Sequence, residues 1–123
     1  MNSAIRIRVL LSDEGGNSVT MSYLAPTKAR AAAVVTAANV LGLTVEEFKT
    51  IPEGTKLYSG RYSKDGDVTF TLSTLGELSG YLSDTARATL KAEGNFEFDS
   101  ECLSVSISLA GTVGKNGELA VAA

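Results

Sequence analysis

Ile5, Ile7, Val9 and Leu11 alternate with Arg6, Arg8 and Leu10, so an extended chain would carry its most apolar side chains on one side. A period of two marks a strand with one buried face. The pattern returns in Val19, Met21 and Tyr23 against Thr20, Ser22 and Leu24. It appears again in Val68, Phe70 and Leu72 against Thr69, Thr71 and Ser73, and in Leu103, Val105, Ile107 and Leu109 against Ser104, Ser106 and Ser108. Between the first two runs lies Ser12-Asp13-Glu14-Gly15-Gly16-Asn17, a turn by composition, which makes them a hairpin. A second hairpin joins 56–62 to the run around Phe70 through Lys64-Asp65-Gly66-Asp67.

Helical spacing separates these runs. Pro26 suits a first helical turn, and 27–41 is rich in Ala, with Ala33, Ala37, Val40 and Leu41 at helical spacing and Gly42 as the stop. Thr44 and Glu47 have capping-box spacing, which predicts a short helix over 45–50, ended by Pro52 and Gly54. A second main helix is predicted over 74–93, with Leu75, Leu78 and Leu82 on one face, a break near Ser83, and Gly76 and Gly80 weakening its first half. Phe96 and Phe98 open a last strand region, which closes through Gly114-Lys115-Asn116-Gly117 into an arm at Leu119 and Val121. The expectation is an α+β fold: a mostly antiparallel sheet of about six strands, in three hairpins, with two main helices packed on one face. No linker or low-complexity segment divides the chain, so residues 1–123 are read as a single domain.

The chemistry is narrowed by what is missing. Histidine is absent and Cys102 is the only cysteine, which removes Ser-His-Asp and Cys-His nucleophiles, most zinc sites, CxxC redox chemistry and any intrachain disulfide. The carboxylates that remain fall largely in turns: Asp13 and Glu14 in one hairpin tip, Asp65 and Asp67 in the other. Asp65-Gly66-Asp67 lacks the further ligands and terminal Glu of a calcium loop, and the glycines around Lys115 lack phosphate-loop spacing. Ser63-Lys64 has nothing to desolvate its lysine, and Cys102 is expected to be an inert small residue. The reading is of a non-enzyme with no cofactor and no metal.

A net charge of −3 leaves no basic excess for nucleic acid, so nucleic acid is not expected as a main ligand. Arg6, Arg8, Lys56, Arg61 and Lys64 are taken as solvated strand positions. The most apolar stretch, 29–43, is interrupted by Arg30, Thr36 and Asn39, and neither it nor the N-terminus suggests a membrane or a signal sequence, so a cytoplasmic site of synthesis is expected.

The surface is more informative. Thr69, Thr71, Ser73, Ser104, Ser106 and Ser108 are expected to face outward, giving wet but nearly uncharged strands, and the final arm is apolar. Charge is the usual defence against strand pairing between molecules. The first functional expectation is therefore a non-enzymatic subunit that assembles with itself, as in a virus or phage coat, tail or decoration layer, with Leu119 and Val121 at the contact. The second is a small acidic binding protein that inhibits or regulates a larger partner through Asp13, Glu14, Asp65 and Asp67. The opening hairpin through Gly15-Gly16 to Ala25-Pro26 resembles the start of single-stranded RNA phage coat proteins. The resemblance stops there: those coats end in two helices, whereas this chain ends in strands and has its long helix early, so the family is not assigned.

Overall fold

The computed structural model describes residues 3–121. The element order is β1 (Ser3–Ser12), β2 (Ser18–Ala25), α1 (Lys28–Val40), β3 (Thr44–Pro52), β4 (Lys56–Ser63), β5 (Asp67–Ser73), α2 (Asp84–Glu93), β6 (Asn95–Asp99), β7 (Ser104–Val113) and β8 (Leu119–Val121). The class is α+β. Eight strands form two antiparallel sheets, where the sequence predicts one sheet of about six. One sheet has the order β2-β1-β3; the other has the order β5-β4-β7-β6, with β8 also paired to β7. The chain divides into two compact units, Met1–Thr55 with Thr112–Ala120 and Lys56–Gly111 with Val121–Ala123.

In the first unit β1 is central. It pairs with β2 in a register that sets Ile7 against Tyr23, Val9 against Met21 and Leu11 against Val19. The alternation gives this sheet an apolar face, and α1 covers its middle: Ile5, Ile7, Val9 and Ala25 pack with Ala31 and Ala38. Thr27 caps α1, its hydroxyl accepting from the Arg30 N–H at 3.2 Å, so Pro26 stands before the cap rather than in the first turn. At the other end Gly42 takes φ +74, and the N–H groups of Gly42 and Leu43 donate to the Asn39 and Ala38 carbonyls.

The helix predicted over 45–50 is instead part of strand β3. Thr44, Val45, Thr50 and Ile51 are β-branched, and a capping-box spacing cannot hold a six-residue helix against pairing with β1 along its length. Glu46 is the extra residue of a bulge opposite the Arg8–Val9 step. Glu47, the expected cap partner of Thr44, reaches across the sheet to Arg6.

In the second unit Tyr58, Phe70, Leu78, Leu90 and Ile107 form the core with α2. The sequence predicts helix from residue 74, but 74–82 is a run of turns and α2 starts at Asp84. A capping box forms at the start of this run: the Thr74 N–H donates to Glu77 Oε1 at 2.8 Å and the Glu77 N–H to Thr74 Oγ1 at 3.3 Å. Gly76 and Gly80 follow too closely for the turn to propagate, and Ser83 caps a new helix by accepting from the Ala86 N–H. Gly60 lets β4 lie against β7: a Cβ there would stand 2.5 Å from Ile107 Cα and closer still to the Ser106 carbonyl oxygen.

One expected outward position is reversed. Ser73 is buried, because β5 bulges opposite the Tyr58–Gly60 step and the extra residue inverts the alternation beyond Leu72, whose φ is +48. Ser104, Ser106, Ser108 and Thr69 are exposed.

Candidate functional site

Of the four acids singled out by sequence, Asp13 and Asp67 are engaged within their own hairpins. Asp13 Oδ1 accepts from the Gly15 and Asn17 N–H groups, both at 2.9 Å, and Oδ2 accepts from Asn17 Nδ2 at 3.1 Å. The Asn17 amide above all, then the Asn17 and Gly15 N–H groups, hold the Asp13 carboxyl below the usual aspartate value. Glu14 beside it is exposed. Asp67 pairs with Arg61 at 2.6 Å across the β4–β5 hairpin, and Asp65 is exposed in the turn. Leu119 is half-buried in β8, and Val121 at its end is exposed. Among the described residues no group of three or more Cys, Asp or Glu side chains could hold a metal ion. Cys102 is exposed in the turn between β6 and β7.

Arg6 and Arg8 correct the expectation of solvated strand positions, while Arg61 is exposed. Arg6 is fully buried, with its Nη2 2.7 Å from Glu47 Oε1 and its Nε donating to the same oxygen at 2.8 Å. Arg8 is half-buried beside the same carboxylate. Lys56 and Lys64 are exposed, and Arg61 is held by Asp67.

The feature that sequence reading missed is apolar and lies in the first unit. The β-sheet alternation that buries Ile5, Ile7 and Val9 under α1 continues past the helix to Leu11 and along β2. Leu11 is 45% exposed, Val19 56%, Met21 38% and Tyr23 40%. Tyr23 then lines a groove with Val9, Val34, Ala37 and Leu41, which continues the apolar surface onto the end of α1. Val40 and Leu41 there are 80% and 72% exposed.

The helix explains why. From Ala31 to Val40 it carries no charge, and its exposed positions include Ala32, Ala33, Thr36, Ala37 and Val40. A surface helix ordinarily turns a charged face to water, while a helix apolar all round is one that is covered all round. At these fractions the six large side chains leave on the order of 600 Å² exposed. That is the upper end for the largest apolar patch of a monomer and approaches the ~800 Å² that each partner gives to a standard interface. The signal was present in the sequence as two charge-free stretches, 18–25 and 31–43.

The second unit has a smaller apolar cleft of about 210 Å³ between Tyr81, Leu82, Phe96, Phe98, Leu103 and Val105. The Tyr81 ring stands edge-on to Phe70 and Tyr62, at 4.7 and 5.3 Å between centroids. The cleft is lined by no carboxylate, lysine or arginine, and its polar side chains are Tyr81 and Ser83. No helix among the described residues is long and apolar enough to cross a membrane. No protein-family model, curated protein or solved structure matches the chain.

Proposed function

We propose that the chain is a non-enzymatic structural subunit that associates with itself through the apolar face formed by α1 and β2. It is a building block of an ordered assembly of the kind found in viral coat, tail or decoration layers, made in the cytoplasm and incorporated into a particle. The observation that carries the reading is the absence of charge on the exposed side of α1 beyond Arg30, continuous with Val19, Met21 and Tyr23 on β2. Such a patch is stable in water only at a cost that burial against another surface removes. The competing reading, an acidic inhibitor acting through its hairpin tips, keeps Glu14 and Asp65 exposed for contact, while Asp13 and Asp67 are already engaged by Asn17, Gly15 and Arg61.

Light scattering coupled to size exclusion tests this over a concentration range of about tenfold. The expected mass exceeds the 12.8 kDa of one chain and rises with concentration. Val19→Lys combined with Val40→Lys, at two exposed positions, should return the mass to 12.8 kDa with an unchanged circular dichroism spectrum. A monomeric wild-type chain throughout would remove the proposal.

A further inference from the structure

We infer that two copies of the chain join edge to edge, β2 against β2 in antiparallel register around Met21, to make one continuous six-stranded sheet. The inference rests on the self-association proposed above and specifies how it occurs.

Among the described residues five strands stand at sheet edges: β2 and β3 in one sheet, and β5, β6 and β8 in the other. Four of them carry the devices that discourage pairing with another molecule, β8 by being only three residues long. Strand β3 has Glu46, Glu47 and Lys49, a bulge at Glu46, and Pro52 at its end. Strand β5 begins at Asp67 and is kinked at Leu72. Strand β6 is five residues long and presents Glu97 and Asp99. Strand β2 has none of these. It runs for eight residues as Ser-Val-Thr-Met-Ser-Tyr-Leu-Ala, without charge, proline or bulge, and it borders the apolar patch.

A second copy of the same strand is the partner that this edge fits. Paired with itself, an uncharged strand brings no like charges together. For both copies of α1 to lie on the same face of the joined sheet, odd-numbered residues must face odd-numbered residues, because a shift of one residue would invert one copy. Centring on Met21 meets that condition and sets Val19 opposite Tyr23 of the second copy, an aliphatic–aromatic cross-strand pair.

Charge supports the same arrangement. In this register the acidic turn that closes before Ser18 of one copy lies toward the start of α1 in the other, where β2 ends at Ala25 and the helix begins at Lys28. The first turn of α1 holds Lys28 and Arg30 and no acid, the unfavourable sign for a helix N-terminus. The acidic turn of a second copy, with Asp13 and Glu14, offsets both cations and the helix dipole.

The test uses the full chain with Cys102→Ser, which removes the exposed native thiol. Met21→Cys in that background should give a disulfide-linked species of twice 12.8 kDa on mild oxidation. Phe48→Cys, at a more exposed position on β3, should stay monomeric under the same treatment. Glu14→Lys should weaken association, and adding Lys28→Glu should restore it, a rescue that damage to the fold would not give. Association without cross-linking at residue 21, or with equal cross-linking at 48, overturns the β2 pairing and leaves self-association standing. A chain that stays monomeric at every concentration overturns both.

Discussion

Gly60 stands where β4 and β7 approach most closely, and replacing it with alanine isolates the contribution of that approach. An added Cβ would lie 2.9 Å from the Ser106 carbonyl carbon and 2.5 Å from Ile107 Cα, with the Ser106 oxygen nearer still. All three are backbone atoms, so no side chain can rotate away. Ordinary carbon–carbon contact begins near 3.5 Å, so the strands must part by about 1 Å against an interstrand spacing of about 4.8 Å. The move loosens the packing of Tyr58 and Ile107, which are 2% and 1% exposed. Overpacking of this kind costs about 1–3 kcal/mol, and each backbone hydrogen bond that is stretched adds about 1 kcal/mol. The expected loss is therefore about 3 kcal/mol, a large part of the ~5–15 kcal/mol available to a domain. Urea unfolding followed by tyrosine fluorescence and circular dichroism measures it as a lower midpoint at unchanged slope. If the two units melt separately, the loss belongs to the transition that reports on Tyr58. Gly80→Ala is the control, since nothing lies within 4 Å of its Cβ position. A Gly60→Ala midpoint no lower than the control's would refute the reasoning.

Two further outcomes follow from single contacts. Glu47→Ala leaves the fully buried Arg6 guanidinium without the carboxylate that holds it, and should cost about 3 kcal/mol in the unfolding of the first unit, with Glu47→Gln losing distinctly less. The lowered Asp13 pKa means that the charged form is favoured by the folded turn, so its contribution is present above the unfolded-state pKa and is lost as pH falls through the folded one. Carbon-detected NMR titration should therefore place the Asp13 midpoint below that of an ordinary aspartate, and Asn17→Ala should move it back up; a midpoint unmoved by Asn17→Ala would show that the amide is not its cause.

Strands with strict alternation were legible in the sequence because the signal is local. Strands β1, β2, β5 and β7 each carry their own period of two, and the turns that close the hairpins carry their own glycines. What could not be read locally was decided by tertiary pairing. Residues 44–52 have a capping-box spacing and a short apolar pattern that suits either state, and the open side of β1 selected the strand. Arg6 looked solvated because its partner Glu47 lies 41 residues away. Ser73 looked outward because a bulge is invisible in a hydrophobicity pattern. The candidate surface was visible in principle, but weight fell on the final apolar arm, which turns out to pair with β7, rather than on the longer charge-free stretch of α1 and β2.

The two helices serve as controls for one another. Each follows a hairpin, and in each sheet the first strand of that hairpin takes an inner place, β1 between β2 and β3, and β4 between β5 and β7. The same supersecondary layout thus sets the same requirement on each helix, one apolar stripe against the sheet. Helix α2 meets it in the ordinary way: Ala86 and Leu90 are buried, Asp84, Arg87, Lys91 and Glu93 lie outside the buried stripe, and the acid at the start and the lysine at the end match the helix dipole. Helix α1 meets the inward requirement with Ala31 and Ala38 and, after Lys28 and Arg30 in its first turn, leaves its outward positions uncharged as well. Nothing in the packing of the first sheet demands that, since lysine or glutamate at Ala33, Thr36 or Val40 would satisfy the same fold and dissolve better. Composition does not force it either, because α2 draws on the same chain. On the proposed self-association, the difference between the helices reflects what α1 faces in the assembly, and the uncharged edge of β2 beside it is where the second copy begins.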